Sequence, residues 1–275
     1  MRLVLTNAAW IGLAISIGGV PSLAQLQDNS EKQMTCSNAG YDRDRARHCE
    51  IREQSLPSIG RLSIDARPNG GATVKGWLRG DVLLRARVEA SGDTEGAAAI
   101  LASRVMIDGS GGQVRASGPE AADNSGWSVS YEIFVPQATD VTLKTLNGGL
   151  TISDVRGQIH FDALNGGVHL KRVAGEVSGA TVNGGIDVEL AGAMADWRQM
   201  ELSTHNGGVT VAMPAHYSAR IQAETGMGRI QSDFPLPPGT DTRVRQLDFN
   251  VGSGGPPIHI TTGNGGIRLK RVESR

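Results

Sequence analysis

A short phrase recurs along the second half of this chain and limits what it can fold into. It reads TLNGGLTI, ALNGGVHL, TVNGGIDV and THNGGVTV between residues 141 and 213, and once more, TGNGGIRL, near the end. The repeated corners are Asn147-Gly148-Gly149, Asn165-Gly166-Gly167, Asn183-Gly184-Gly185, Asn206-Gly207-Gly208 and Asn264-Gly265-Gly266. The first three asparagines are 18 residues apart and the next interval is 23. A degenerate copy, TGMGRI, puts Met227 where the asparagine would stand. A fixed period of this size is the signature of a repeat architecture.

Aligned on the asparagine, the side chains fall into columns. Two, four and six residues before it stand sets such as Val141/Leu143/Thr145, Ile159/Phe161/Ala163 and Met200/Leu202/Thr204. Three and five residues after it stand Leu150/Ile152, Val168/Leu170, Ile186/Val188, Val209/Val211 and Ile267/Leu269. The residues between are mostly polar, so each strand buries one face. Two strands of about six residues and two tight corners fill an 18-residue unit, with the second corner at Arg156-Gly157 or Ala174-Gly175. One unit cannot bury its own apolar face, but stacking at about 4.8 Å lets neighbours bury it together. Glycine is expected to supply positive φ at the corner, and stacked asparagine amides to hydrogen-bond along the column. Asn-Gly between alternating strands is also a strong hairpin signal, so an antiparallel meander stands as the rival.

The chain opens with Arg2, an apolar run and Ser22-Leu23-Ala24, which reads as an export signal over residues 1–24. Removing it leaves 26 basic against 28 acidic residues, a balance that gives no reason to expect nucleic acid or an anionic membrane as partner. With 37 glycines and 4% aromatics, the composition suits a corner-rich stack better than a deep-cored enzyme. Cys36 and Cys49 are the only cysteines, 13 residues apart, and in an oxidising compartment they are expected to form one disulfide. Zinc held by Cys36, His48 and Cys49 would lack a fourth ligand and any C-x-x-C pair.

The expected domains are a signal peptide at 1–24, a disulfide-pinned segment at 25–54, a β-rich capping region at 55–136 and the Asn-Gly-Gly solenoid at 137–272. Within 55–136, Asn69-Gly70-Gly71 looks like an early corner whose buried columns are shifted by one residue. Asp93 offers a cap for the one helix expected, EGAAAILASRV, and Asp108-Gly109-Ser110-Gly111-Gly112 marks a hairpin. A five-residue insertion is expected around 193–196, and the last coil is read as an open edge.

The leader, CSNAGYDRDRARHC, IDARPNGGATVKGW, WSVSYEIFVP and the serial NGG coils together resemble an exported bacterial β-strand-repeat family known as "putative adhesins", a domain of unknown function. The likeness covers most of residues 35–272. It implies an all-β, right-handed parallel β-helix-like solenoid, and it transfers no catalytic, cofactor-binding or metal-binding residue. The sequence itself holds no H-E-x-x-H, no G-x-S-x-G, no phosphate loop and no calcium nonapeptide. The nearest thing to a catalytic set is His160, Asp162 and Ser178, outward on adjacent coils. A flat polar face supplies neither an oriented base nor an oxyanion hole. On the other face His169 should meet Asp187, and Lys171 should meet Glu189.

The expectation is a non-catalytic exported solenoid, periplasmic or extracellular, without cofactor, that binds an envelope or surface component, protein or glycan. A β-helix polysaccharide lyase or hydrolase is one alternative. A self-assembling structural or envelope-stress module, joining through its C-terminal coil, is the other.

Overall fold

The computed structural model describes residues 34–36, 45–120, 124–191, 197–238 and 244–272. The leader, residues 193–196 and the tail 273–275 lie outside the described residues. Those described belong to one compact unit, Gln33–Arg275. In chain order the unit has β1 (Ala46–Pro57), β2 (Arg61–Asp65), β3 (Ala72–Trp77), β4 (Asp81–Gly92), α1 (Glu95–Ser103), β5 (Met106–Asp108), β6 (Gln113–Ser117) and β7 (Gly126–Pro136). The repeats follow as β8 (Asp140–Asn147), β9 (Leu150–Ser153), β10 (Arg156–Asn165), β11 (Val168–Asn183), β12 (Ile186–Leu190), β13 (Trp197–Asn206) and β14 (Val209–Pro214). Last come β15 (Ala219–Met227), β16 (Ile230–Ser232), β17 (Gln246–Val251), β18 (Pro257–Asn264) and β19 (Ile267–Val272).

The strands form a single mixed sheet that folds over at the corners into two walls. Strands flanking an Asn-Gly-Gly do not pair with each other, as a meander requires. Each pairs in parallel with its equivalent in the neighbouring unit: Ile159 faces Val141 and Val177, and Leu170 faces Ile152 and Val188. Antiparallel pairs make the sheet mixed at its margins, β1 with β4, β4 with β7, β5 with β6 and β15 with β17.

Between the walls the inward columns are buried, Leu143, Phe161, Leu202 and Ile260 on one side and Ile152, Leu170, Val211 and Leu269 on the other. Each such side chain contributes about 1.5–3 kcal/mol by leaving water. Volume is balanced along the column rather than at each position: the Phe161 ring occupies the space beside Gly179, where a Cβ would lie 2.5 Å from its Cγ. The early corner belongs to the same stack, since Leu62 and Ile64 face Val141 and Leu143, and Asn69 bridges Asn147. The one-residue shift is taken up at Arg67-Pro68, between matched strand and matched corner.

Three local expectations change. The helix is capped by Thr94, whose hydroxyl accepts from Ala97 N, rather than by Asp93. The long strand β1 begins inside the disulfide-pinned segment expected at 25–54 and runs past its end to Pro57, and Arg52 from it donates to Ala102 O and Val105 O at the carbonyl end of α1. Positive φ is not what the Asn-Gly-Gly corners need, whereas at the second corner Gly175 does take it, at φ 104°. Gly166, Gly184, Gly207 and Gly265 have no left-handed φ, but a Cβ on each would lie 2.0–2.1 Å from the carbonyl oxygen of the first glycine one coil away. Among the described residues other than glycine, those with left-handed φ are Asp154 (φ 59°) and Arg172 (φ 51°), at the second corner.

The largest correction concerns the C-terminus. The last coil is not an open edge, because β18 lies between β13 and β15, and β19 between β14 and β16. The coil carrying Met227 is outermost on that side, with β17 antiparallel beyond β15. Self-association through an exposed C-terminal coil is therefore overturned. The order keeps the asparagines contiguous. Asn147 Nδ2 donates to Asn69 Oδ1, and the chain runs on through Asn165, Asn183, Asn206 and Asn264, at 2.8–3.0 Å per link. Met227 has no amide to pass on, so it fits the end of the row and would break its middle.

Inside the corners a second ladder satisfies buried carbonyls. Thr145, Thr181, Thr204, Thr225 and Thr262 are buried, and each hydroxyl donates to the first corner glycine of an adjacent coil at 2.8–3.0 Å. Ala163 occupies the same column without a hydroxyl, opposite Gly148 O. Thr181→Val is expected to cost about 1–3 kcal/mol by leaving the Gly166 carbonyl unsatisfied. Ala163→Thr is expected to gain about 0.5–1.5 kcal/mol, and urea midpoints of the two variants check the opposite signs.

Candidate functional site

Because the register is strict, the outward side chains form straight rows across each wall. On the wall before the asparagines one row reads Ser63, Thr142, His160, Ser178, Glu201, His259, Gln222. The next reads Asp65, Lys144, Asp162, Ala180, Ser203, Thr261, Glu224. On the wall after them stand Thr151, His169, Asp187, Thr210 and Arg268, with Ser153, Lys171, Glu189, Ala212 and Lys270 alongside. Every such side chain is held by a strand whose backbone is already committed to the ladder, so the rows are rigid and regular.

The stacking does bring His160 Nδ1 and Ser178 Oγ to 3.0 Å. Asp162 points outward from the same strand two residues on and makes no contact that would orient the imidazole. The flanking backbone N–H groups lie in parallel strand pairing, which leaves no pair of donors aimed at one point for an oxyanion. On the opposite wall His169 Nδ1 lies 3.3 Å from Asp187, both half-exposed, while Lys171 and Glu189 are neighbours in register. At the second corner Arg172 grips Asp154 through two bonds of 2.6–2.7 Å, joining two left-handed residues that are not glycine.

The most built part of the surface was not foreseen, and it lies on the outer face of β1, β4, β7 and β3. Phe134 and Trp77 stack there with Leu83, ring centroids 5.4 Å apart. Lys75 and Arg85 stand over the Phe134 ring at 5.2 and 5.3 Å, and Arg79 covers Trp77 at 4.4 Å. Glu132 ties the cations together, accepting from Lys75 at 2.7 Å and Arg85 at 3.5 Å, and Arg85 also donates to Glu53 at 2.7 Å. Arg85 and Glu132 are 6% and 7% exposed, unlike the solvated rows elsewhere. The signal was present: in WSVSYEIFVP, Phe134 stands in the polar column beside Glu132, opposite the alternating charges of LLRARVE.

Trp77 is thus a covered ring, Phe161 and Tyr217 are buried, and Trp127 donates its Nε1 to Pro119 O at 2.8 Å. None of these is a bare aromatic platform for a sugar. Two open polar clefts indent the surface, one of about 330 Å³ lined by Arg47, His48, Glu89 and Trp127, the other of about 520 Å³ lined by Asp140, Arg156, Glu176 and Arg198. Cys36 and Cys49 form a disulfide, Cα atoms 5.8 Å apart, beside the first cleft. Among the described residues no group of three His, Cys, Asp or Glu could hold a metal ion. No helix among them is long and apolar enough to cross a membrane.

With this geometry in view, comparison with known proteins gives the following. No family model and no curated protein matches the chain. Among solved structures it is similar to a "putative cell adhesion protein" of Clostridium sporogenes, at 12% identity and TM-score 0.39, covering 82% of this chain and all of that one. It is similar also to a "putative adhesin" of Bacteroides fragilis, at 10% identity and TM-score 0.28, over 82% and 97% of the two chains. A third, from Parabacteroides distasonis, is called a "putative lipid binding protein", at 9% identity and TM-score 0.30, over 80% and 96%. The adhesin name is the one the residue motifs had suggested, and at these scores the likenesses carry no argument about activity.

Two outcomes follow from the electrostatics. Glu132→Ala should cost about 3 kcal/mol in urea unfolding by removing the buried carboxylate that Lys75 and Arg85 share, with Glu132→Gln milder. Hydrogen bonds from Arg67 and Arg220 hold the Asp65 and Asp248 carboxyls below the usual carboxylate range. Their stabilising effect is present above about pH 4 and is lost as pH falls through the lowered values. Thermal melts between pH 7 and 3 should show that loss, blunted in Asp65→Asn.

Proposed function

We propose that this chain is a right-handed, parallel β-helix-type solenoid that acts without catalysis, presenting its regular walls to a partner outside the cytoplasm. The observation that carries the reading is the strict register, which turns isolated polar residues into fixed rows of alternating chemistry many coils long. Such a surface matches a partner that is itself repetitive or extended, an envelope or surface protein or a glycan chain. The disulfide supports an oxidising compartment, periplasmic or extracellular, and with it the reading of residues 1–24 as a signal peptide. Residues 25–54 then form a disulfide-pinned lead-in, 55–136 the capping region and 137–272 the repeat body. The corner asparagines and glycines serve the stack, not a ligand, and no cofactor is called for.

One observation favours a rival hydrolase, the 3.0 Å contact between His160 and Ser178. Against it stand the missing orienting group and the absent oxyanion donors. The purified chain should bind one fraction of envelope material or glycan saturably. Replacing His169, Lys171, Asp187 and Glu189 together by Ala, all exposed, should weaken that binding at least about tenfold with the fold intact. Binding unchanged by the four substitutions would remove this wall from the proposal. Sugar products that disappear in Ser178→Ala would replace the proposal with the hydrolase.

A further inference from the structure

The ladder asparagines carry chemistry that the binding proposal does not use. Each is followed by glycine, whose lack of a side chain lets its backbone nitrogen approach the asparagine Cγ. In that reaction the nitrogen gives up its proton and forms an N–Cγ bond, the Cγ–Nδ2 bond breaks and ammonia leaves with the proton. Water then opens either carbonyl of the cyclic imide, giving aspartate or isoaspartate. The nucleophile is an amide nitrogen free of other bonds, so donating that N–H to a carbonyl blocks the step.

All six nitrogens are so engaged. Gly70 N donates to Asn147 O, Gly148 N to Asn165 O, Gly166 N to Asn183 O, Gly184 N to Asn206 O and Gly207 N to Asn264 O, at 3.0–3.1 Å. Gly265 N donates to Met227 O at 2.9 Å. The asparagine side chains are exposed, so water already has access and the backbone bond is what withholds reaction. The locks are unequal. That on Gly265 comes from Met227, the last residue of β15 and beyond the stretch Ala219–Glu224 that β17 covers, and the strand after it, β16, is three residues long and pairs on one edge only among the described residues. Asn264 also has no asparagine beyond it, because Met227 holds that place. Outer, weakly paired segments open at lower free energy than the body of a fold.

We propose that Asn264-Gly265 is a covalent modification site, a deamidation position that opens only when the Met227 coil lifts and that records the event irreversibly. Conversion removes the Nδ2 donor to Asn206 Oδ1 and sets a carboxylate oxygen against it. Isoaspartate also lengthens the backbone at a corner where the next coil's carbonyl leaves no room even for a Cβ. The lifted coil then cannot reseat, and a transient opening becomes a permanent one.

Peptide mapping by mass spectrometry, on the full chain at mildly alkaline pH with and without urea, tests this. In urea the six Asn-Gly sites should convert at similar rates. In native buffer Asn165 and Asn183 should slow by about a hundredfold or more, and Asn264 should convert first. A disulfide staple from Glu224→Cys and Thr261→Cys, Cα partners across β15 and β18, should slow Asn264 about tenfold and leave the others unchanged. Native rates equal to those in urea, Asn264 no faster than Asn165, or a staple without effect on Asn264 would each overturn the proposal.

Discussion

The structure depends on how closely one corner backbone lies against the next. The first glycine of each Asn-Gly-Gly has no space for a side chain, because a backbone carbonyl occupies it, that of Val129 at Gly70 and that of the neighbouring glycine at the others. That approach brings the asparagine amides into one hydrogen-bonded row outside and the threonine hydroxyls onto the glycine carbonyls inside. The second glycine is under less pressure, with nearest contacts of 3.2–3.6 Å at Gly149, Gly185 and Gly208, and Arg229 already stands in its place on the Met227 coil. Strand geometry, apolar columns and outer rows all inherit their register from these contacts.

The same interaction explains why chain order and spatial order part company. Stacking strictly in sequence would place Met227 between Asn206 and Asn264 and cut the amide row. Inserting the last coil between those of Asn206 and Met227 keeps six asparagines in line and moves the residue without an amide to the margin. There the antiparallel β17 covers one wall and the short β16 ends the other, which limits the exposed edge.

Much of the fold was legible because the period is fixed. Columns such as Leu143/Phe161/Leu202 and Ile152/Leu170/Val188 could be read as buried from alternation alone, and the pairing of His160 with Ser178 followed from counting. What was illegible depended on relations between residues far apart in sequence. Nothing local to Asn264 says that its coil lies inside that of Met227. Thr145 and its counterparts look like misplaced polar residues until the glycine carbonyl they satisfy is seen. The Phe134–Trp77 cluster hid because its parts come from β3, β4 and β7, joined by parallel and antiparallel pairing that periodicity does not encode. The glycine requirement of the Asn-Gly-Gly corners was recognised but assigned to φ, since a close approach between coils is invisible in a single strand.

The central claim is that amide continuity sets the order of the coils, and register-matched cysteine pairs test it most directly. Ser203 and Thr261 are Cα partners, as are Thr261 and Glu224, whereas Ser203 and Glu224 are two strands apart. Adjacent strands lie about 4.8 Å apart and a disulfide does not span Cα atoms beyond about 7 Å. In the folded full chain, Ser203→Cys with Thr261→Cys should oxidise readily, and Ser203→Cys with Glu224→Cys should remain reduced. A disulfide between positions 203 and 224 would mean that the coils stack in sequence order and that the asparagine row does not arrange them.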